Sequence, residues 1–393
     1  MTLATDGQAG TLPDRAAIAQ AAIAAPPEAR AVLQIDLGAL KANWATLNAA
    51  SGTAECAAVV KANAYGLGIE EVVAALSREG AKTFFVATLQ EALRVRTVVP
   101  GAIIYVLDGF LAGAGDYYGG FNLRPVLSSL AEVEDWSALA GKRGRRHPAA
   151  IHIDTGMNRL GLTDAEVDRL AARPELLEPF YVALVMSHLA CADEADHPLN
   201  RAQLGRFEAL RGRLPARRAS LANSGGIFLG PDYHFDLVRG GIAIYGGRAF
   251  VGAPNPMRTV VRLLARILQV REAAPGETVG YGASYHLTRR SRLATIACGY
   301  ADGFLRALSG DDAHPGPVGF IGDHPVPVVG RVSMDLTTVD VTDVPEHLVH
   351  RGAWVEVMGE RVTLDDLTDR AGTIGYELLT RLGSRVHRVY VGG

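Results

Sequence analysis

One lysine stands where its side chain could do chemistry. Lys61 directly follows the apolar run Ala57–Val60 and precedes the segment Ala62–Gly68, which is rich in polar residues and glycine. This pattern predicts a buried strand that carries one charged side chain at its carboxyl end, followed by a loop that can approach a ligand closely. The chain has four lysines against 35 arginines, so a lysine directly after four apolar residues needs an explanation.

Three roles compete for Lys61. The side chain could simply extend from a strand end into water, as many lysines do. It could bind a phosphate group, but the Gly-x-x-x-x-Gly-Lys-Ser/Thr pattern is absent. It could also be an amine whose pKa is lowered by desolvation, so that it forms a Schiff base with a carbonyl compound. The rest of the chain has to distinguish among them.

Size and composition exclude several classes of protein. A length of 393 residues favours two domains, and 48% hydrophobic with 21% charged residues is typical of a globular protein. The net charge of −3, without a basic stripe, argues against nucleic acid as a partner. Three cysteines without a motif are typical of the cytoplasm. Residues 1–30 are predicted to be a flexible extension and not a signal peptide, and no segment suits a membrane span.

Apolar runs alternate with helical patterns from residue 31 to about residue 255. The predicted strands centre on Val59, Phe85, Ile104, Val126, Ile151, Leu184, Leu221 and Val238. Eight strands that alternate with helices predict an N-terminal (β/α)8 barrel of the TIM type, which we assign to residues 31–255 with an additional strand at 31–37. Short strands separated by Gly, Pro and Asp turns predict a C-terminal, mainly β domain over residues 256–393, with a last helix near 364–382.

Polar residues follow five of the predicted barrel strands, where barrel enzymes carry their chemistry. These clusters are Lys61, Asn158-Arg159, His188, Asn223-Ser224-Gly225-Gly226 and Arg239-Gly240-Gly241, after the first, fifth, sixth, seventh and eighth strands. Ser224 and Gly241 follow the last two strands, where such barrels often bind phosphate. A serine with following backbone amides can hold a phosphate at a helix N-terminus, although Asn-Ser-Gly-Gly is also an ordinary loop sequence.

Two further motifs do not carry a function. Asp154-Thr155-Gly156 matches the aspartic protease signature, but no second copy supplies the paired carboxylate. The cluster from His188 to His197 contains potential metal ligands whose spacing fits no zinc pattern, and we predict no metal site.

Tyr281, Tyr300 and Tyr376 follow glycines, and each alone is more typical of a strand edge or turn.

Taken together, these strings resemble the alanine racemase family in order and spacing from Leu33 to the C-terminus. The resemblance implies a pyridoxal phosphate (PLP) enzyme with a barrel domain and a β domain. It also implies a homodimer whose active sites take residues from both subunits. The implied reaction is racemisation of L- and D-alanine by two bases, Lys61 on one face of Cα and Tyr281 of the partner subunit on the other.

The resemblance also assigns the remaining residues. His188 is implied to link Tyr281 to Arg239, which faces the pyridine nitrogen of the cofactor. A guanidinium there leaves that nitrogen unprotonated, which favours reprotonation at Cα over transamination. The residues implied to bind the cofactor are Lys61, Tyr65, Arg159, Asn223, Ser224, Arg239, Gly241, Ile242 and Tyr376. Those implied to bind the substrate are Arg159 and, from the partner subunit, Tyr300 and Met334.

One position departs from the family pattern. Many members have a carbamylated lysine seven residues before the arginine that corresponds to Arg159, and this chain has His152 there. An imidazole cannot supply the negative charge of a carbamate. We therefore hypothesise that a bound anion such as chloride, or an acidic side chain, holds Arg159 in place.

Several alternatives remain at this point. The nearest is a racemase of broader specificity that acts on alanine and serine, although such enzymes are typically exported. A decarboxylase of similar architecture would need a carboxylate at the pyridine nitrogen. A non-catalytic PLP carrier resembles the barrel alone, and a structural barrel would bind no cofactor. The sequence does not distinguish supply of D-alanine for peptidoglycan from alanine catabolism.

Overall fold

The strands and helices of the chain fall into two units. The computed structural model describes residues 25–111 and 113–393. We call Asp36–Val260, Gly375–Thr380 and Gly392–Gly393 the barrel unit, and Val261–Ile374, Arg381–Val391 and the described residues before Asp36 the β unit. The predicted extension, residues 1–30, lies outside the described residues as far as residue 24.

The barrel unit is built on a sheet that contains eight parallel strands within the described residues. They are Glu55–Val59, Thr83–Val86, Ile103–Val106, Arg124–Leu127, Pro148–His152, Tyr181–Met186, Ala219–Ser220 and Leu237–Gly240, which we call the first to eighth barrel strands. The first strand pairs with both the second and the eighth. Backbone hydrogen bonds from Asp236 to Ala219 (3.1 Å) and from Arg239 to Ala222 (3.0 Å) connect the eighth strand to the seventh. The predicted (β/α)8 barrel is therefore confirmed.

A helix lies between each of these strands and the next. The right-handed α-helices of the segment Asp36–Val260 are Leu37–Ala50, Ile69–Glu79, Leu89–Val98, Gly115–Gly120, Leu130–Arg143, Asp164–Ala171, Pro198–Arg211 and Ser224–Phe228. Four of them have an Asp, Ser or Thr N-cap whose side chain accepts an N–H of the first turn: Asp36, Thr88, Ser129 and Thr163. These caps satisfy backbone donors that have no partner inside the helix. They fix where each helix begins after its strand.

The β unit contains a second sheet, in which the pairs along Val261–Ala273 are antiparallel. Its strands are Ala31–Asp36, Val261–Ala273, Ser291–Ile296, Val318–Ile321, His324–Pro327, Thr337–Asp340, Trp354–Met358 and His387–Val391. The long strand Val261–Ala273 is central, because it pairs with Ala31–Asp36, Ser291–Ile296 and Trp354–Met358. The predicted mainly β region is thus observed.

Two predicted boundaries differ from the structure. Ala31–Asp36 was assigned to the barrel domain, but it pairs with Val261–Ala273 in the β unit, with Ala31 opposite Ala265. The sequence of a buried apolar strand does not indicate which sheet the strand joins. The predicted last helix is two helices, Leu364–Ala371 and Gly375–Arg381, because Gly372 adopts a left-handed φ of 65° and ends the first.

No helix within the described ranges combines the length and the apolar character needed to cross a membrane.

Candidate active site

A left-handed turn follows Lys61 after the end of the first barrel strand. The φ angles of Ala62, Asn63, Ala64 and Tyr65 are 53°, 56°, 53° and 54°. This conformation costs an L-residue about 1–2 kcal/mol, because Cβ approaches the following carbonyl oxygen. Four such residues in succession need support from the surrounding structure.

The amine of Lys61 lies in an environment that favours its neutral form. Burial lowers the pKa of Lys61, and the positive charge of Arg159 lowers it further. The carboxylates of Asp108 and Glu91 act in the opposite direction. The net effect is a larger neutral fraction than an exposed lysine has, as the Schiff-base role predicted for Lys61 requires.

Tyr65 is buried against a second tyrosine. Its ring stacks on that of Tyr245 with the ring centroids 4.4 Å apart, and the Tyr245 hydroxyl donates to the Val59 carbonyl at 2.9 Å. The Tyr376 ring lies 5.8 Å from the Tyr65 ring on a tilted plane. Burial raises the pKa of Tyr65, so its hydroxyl stays protonated and can donate a hydrogen bond.

Tyr65, Ser224 and Gly241 converge on one point. A Cβ added at Gly241 would lie 2.7 Å from the Tyr65 hydroxyl oxygen and 3.7 Å from Ser224 Oγ. The Gly241 N–H donates to Ser224 Oγ at 2.8 Å. Because that oxygen already accepts this bond, the hydroxyl hydrogen of Ser224 is directed elsewhere. Two hydroxyl donors therefore flank a position that only glycine leaves open.

Asn223 positions Ser224. Its Oδ1 accepts the Gly226 N–H at 2.9 Å as the N-cap of the short helix that begins at Ser224. Its Nδ2 donates to the Leu189 carbonyl at 3.3 Å. The predicted cofactor-binding residue Asn223 is thus engaged in shaping the loop.

Arg239 lies within the eighth barrel strand with 4% of its surface exposed. Its guanidinium donates to the carbonyls of Ser187 (2.6 Å) and Leu221 (3.2 Å) and to Ser220 Oγ. All of these acceptors are neutral. Burial lowers the pKa of Arg239 to about 9, which still leaves the group protonated at neutral pH. The site therefore holds a fixed, buried positive charge on the eighth barrel strand.

His188 is the fourth group that Arg239 contacts. The distance from Arg239 Nη2 to His188 Nδ1 is 3.2 Å. A guanidinium can only donate, so Nδ1 accepts and the neutral imidazole carries its hydrogen on Nε2. Burial and the nearby charge of Arg239 lower the pKa of His188 well below its usual value. The ring is therefore neutral at physiological pH.

The loop after the fifth barrel strand carries Arg159. Oδ1 of Asp154 accepts the N–H groups of Gly156 (2.9 Å), Met157 (2.9 Å) and Asn158 (3.2 Å). The Asp-Thr-Gly motif, which is not a protease signature in this chain, thus organises the loop through its aspartate. The Arg159 side chain projects from it and is exposed.

His152 lies at the end of the fifth strand. It is buried, its Nδ1 is 3.4 Å from Ser128 Oγ, and burial with the charge of Arg239 lowers its pKa to about 4. His152 is therefore neutral. Among the described residues, no carboxylate forms an ion pair with Arg159. Of the two hypotheses for what holds Arg159, an acidic side chain is therefore not observed within residues 25–111 and 113–393, and an external anion stays a prediction.

Three predicted residues belong to the β unit, where all are exposed. Tyr281 has 73% of its surface exposed and follows Gly280, whose φ is 75°. The turn at Tyr300 and the loop at Met334 lie side by side, because the Tyr300 N–H donates to the Ser333 carbonyl (3.0 Å) and the Ala301 N–H to the Met334 carbonyl (2.9 Å). Large apolar and aromatic side chains are thus presented to the outside of this unit.

Two residues that support the site were not predicted from the sequence. Tyr245 supports Tyr65, and no motif pointed to it. Glu91 contacts the turn after Lys61 through the Asn63 N–H at 2.9 Å. The spacing Thr88-x-x-Glu91 is visible in the sequence as a capping box, but it does not reveal that the carboxylate also reaches a neighbouring loop.

Metal ligands do not converge here: within residues 25–111 and 113–393, His, Cys, Asp and Glu side chains form no group of three that could hold a metal ion.

Comparisons with known proteins cover nearly all of the chain. It matches the "Alanine racemase, N-terminal domain" over residues 35–249 and the "Alanine racemase, C-terminal domain" over residues 260–390. The alanine racemase of Rhizobium meliloti (strain 1021) is 50% identical over 367 residues, which are 92% of this chain and 97% of the relative. The biosynthetic alanine racemase of Agrobacterium fabrum is 49% identical over 368 residues, 91% of this chain and 93% of the relative.

A solved structure agrees with both sequence matches. The crystal structure of alanine racemase from Bartonella henselae with covalently bound pyridoxal phosphate has a TM-score of 0.87 to this chain. Its sequence is 41% identical, and the match covers 92% of this chain and 100% of the other.

Proposed function

The chain belongs to the alanine racemase family, and from that premise we propose that it interconverts L-alanine and D-alanine with PLP as its cofactor. The observation that carries this proposal is the buried, protonated Arg239, surrounded by neutral acceptors in the unit that also contains Lys61. A decarboxylase of this architecture would need a carboxylate at that position. The relatives from Rhizobium meliloti and Agrobacterium fabrum are alanine racemases, which supports the same substrate.

The donors present fit PLP. The Tyr65 and Ser224 hydroxyls flank Gly241, where a Cβ would come within 2.7 Å of the Tyr65 oxygen. Hydroxyl donors around an open glycine suit a phosphate group, and Ile242 and Tyr376 complete the proposed phosphate contacts. Asn223 holds Ser224 in place. Lys61 supplies the amine for covalent attachment.

When bound, PLP supplies the electron withdrawal that makes the Cα–H bond of an amino acid acidic. The chain's own residues then have to take a proton from one face of Cα and deliver one to the other. We assign the first face to Nζ of Lys61, because its lowered pKa allows the amine to accept a proton and return it. A racemase works in both directions, so the same amine donates when the substrate is the other enantiomer.

We assign the opposite face to the phenolic oxygen of Tyr281 from a partner subunit. Its high exposure suits a residue that completes the site of another chain. Tyr300 and Met334 are exposed on the same unit and are proposed to line the substrate entrance of the partner. The proposed assembly is therefore a homodimer with shared active sites.

We propose that Arg239, His188 and Arg159 orient the cofactor, the tyrosine of the partner subunit and the substrate carboxylate, respectively. Arg239 presents donors that keep an acceptor nitrogen unprotonated, since a guanidinium does not readily release its proton. The Nε2–H of neutral His188 is available as a donor to the tyrosine of the partner. Arg159 places a positive charge where the substrate carboxylate binds.

The three cysteines are unpaired, and two of them, Cys56 and Cys298, are buried. Free thiols are typical of a reducing compartment, so we propose a cytoplasmic location. The activity would serve D-alanine supply for peptidoglycan or alanine catabolism.

Incubation of the purified protein with PLP and L-alanine in D2O tests the proposal directly. Formation of D-alanine with deuterium at Cα is expected, with activity abolished in Lys61→Ala and greatly slowed in Tyr281→Phe. Deuterium exchange without inversion would contradict the role of Tyr281. Bound PLP without any exchange would contradict the racemase activity as a whole.

A further inference from the structure

Glu91 joins two neighbouring loops of the barrel through one carboxylate. Its Oε1 accepts the N–H of Asn63 at 2.9 Å, inside the left-handed turn. Its Oε2 accepts the N–H groups of Ala87 (3.0 Å) and Thr88 (3.4 Å), after the second barrel strand. A charged acceptor makes each of these bonds stronger than a neutral one would. Glu91 thus fixes the turn after Lys61 to the end of the next strand.

Asn63 is held from the other side as well. Its Oδ1 accepts the Ile69 N–H at 3.2 Å and an Arg94 guanidinium N–H at 2.8 Å. Arg94 in turn makes two bonds to the Glu70 carboxylate, at 2.6 and 2.7 Å. Glu91 and Arg94 lie three residues apart on the helix Leu89–Val98, so they project from the same side of it. The middle of the strained turn is therefore bonded through both its main chain and its side chain.

The turn has a left-handed backbone without a glycine, which the local sequence does not favour. Lys61 precedes it and Tyr65 ends it. Any relaxation toward right-handed geometry would change the direction of both side chains together. The bonds to Asn63 oppose that relaxation at the centre of the turn.

We propose that Glu91 is a positioning residue of the active site, whose carboxylate holds the left-handed turn so that Lys61 and Tyr65 face the cofactor at the same time. Asn63 transmits this constraint. The inference rests on the proposed roles of Lys61 and Tyr65 in PLP binding. It adds a residue that touches neither substrate nor cofactor.

The simplest alternative is that Glu91 only caps its helix. The chain offers two matched glutamates for comparison. Glu166 occupies the same position in the capping box that begins at Thr163. Glu132 follows the N-cap Ser129 and also bridges two loops, because it accepts the N–H groups of Ser128 (2.6 Å) and Phe110 (3.2 Å). Neither contacts the turn after Lys61.

The test compares Glu91→Gln, Glu132→Gln and Glu166→Gln as PLP-loaded proteins. Glutamine keeps the size of the side chain but replaces one acceptor oxygen by a donor, so it cannot accept on both sides. Release of PLP is followed by the loss of cofactor absorbance during dialysis, well below the melting temperature of each variant. The melting temperatures are measured in parallel.

We expect all three variants to melt at lower temperature, since each loses a negative charge in the first turn of its helix and a charged acceptor for backbone N–H groups. Only Glu91→Gln should release PLP faster, because only this variant loses a hydrogen bond to the turn after Lys61. The loss of one such bond, about 1.4 kcal/mol, corresponds to release that is about tenfold faster. We also expect an altered cofactor absorbance band in this variant. Release at the same rate in all three variants would overturn the proposal. Absence of cofactor absorbance in the unmodified protein would instead contradict the proposed function.

Glu91→Asp provides a second test if Glu91→Gln does not fold. Aspartate keeps the negative charge in the first turn of the helix, so the replacement endangers folding less. Its side chain is one methylene shorter, so it cannot accept the N–H of Asn63 and the N–H of Ala87 together. Faster PLP release than in the unmodified protein is expected, and an unchanged rate would overturn the proposal.

Discussion

Arg239 and His188 are joined by one hydrogen bond, from guanidinium Nη2 to imidazole Nδ1 over 3.2 Å. The arginine is protonated and the histidine is neutral, so the bond has a fixed direction. The same guanidinium satisfies the carbonyls of Ser187 and Leu221. One buried side chain therefore determines the tautomer of His188 and ties together the ends of the sixth, seventh and eighth strands.

Arg239→Lys should destabilise the protein. An ammonium group cannot reach acceptors on several strands as a planar guanidinium does, so buried carbonyls lose their donors. We expect the free energy of unfolding, measured with urea at constant PLP concentration, to fall by about 2–4 kcal/mol. Arg218→Lys is the control, since Arg218 forms a partly exposed ion pair with Glu55 and should cost less than about 1 kcal/mol. Equal losses would contradict the bridging role of Arg239.

Gly241→Ala should weaken cofactor binding. The added Cβ would lie 2.7 Å from the Tyr65 hydroxyl oxygen, so Tyr65 has to move from the position proposed for phosphate binding. Overpacking of this kind costs about 1–3 kcal/mol, which predicts an increase of about tenfold or more in the dissociation constant of PLP. Gly205→Ala is the control, because a Cβ there meets no atom within 4 Å. Unchanged PLP affinity in Gly241→Ala would count against this phosphate site.

Asp154→Ala should impair substrate binding more than stability. It removes the acceptor for three backbone N–H groups and loosens the loop that carries Arg159. We expect the KM for alanine to rise by about tenfold or more while the protein loses about 1–2 kcal/mol. Asp366→Ala removes a carboxylate from the capping box at Thr363 in the β unit. It should cost similar stability with no change in KM, and a similar rise in KM in both variants would refute the assignment.

His152 predicts how stability depends on pH. In the unfolded chain a histidine binds its proton near pH 6.5, but in the folded protein His152 does so only near pH 4. Between these values the unfolded state binds more protons, so stability is lost as the pH falls through this window. Between pH 6.5 and pH 4, His152 alone lowers the free energy of unfolding by about 3 kcal/mol.

In His152→Asn this part of the acid destabilisation should be absent, as measured by urea unfolding at pH 7 and pH 4. Asn Oδ1 can take the place of Nδ1 near Ser128. His347→Asn changes an exposed histidine and should follow the unmodified protein. Identical pH profiles for His152→Asn and His347→Asn would show that His152 does not titrate as described.

The alternating strands and helices of the barrel could be predicted from the sequence. Features that depend on one contact with a distant part of the chain could not. The barrel strands were predictable because each is a short apolar run with a turn or helix after it, and Lys61 and His188 could be assigned to strand ends. Arg239 lies within the eighth strand and not after it, because a strand of four residues gives too little sequence to locate its end. The sheet that Ala31–Asp36 joins could not be read from its residues. Nor could the left-handed turn, because Ala62 and Ala64 have no preference for positive φ. Its support by Glu91 depends on a contact 28 residues away.

The absence of a carboxylate partner for Arg159 among the described residues predicts that activity depends on small anions. His152 is neutral, and within the described residues no carboxylate pairs with Arg159, so the hypothesis of an external anion remains to be tested. If chloride neutralises and holds this arginine, kcat/KM for L-alanine should be higher in chloride than in gluconate at equal ionic strength, by about tenfold for a gain of about 1.4 kcal/mol. Constant ionic strength excludes general screening as the cause. The difference should disappear in Arg159→Met, which has no charge to neutralise. Equal kcat/KM in the two salts would leave Arg159 held by its loop alone, through the bonds to Asp154.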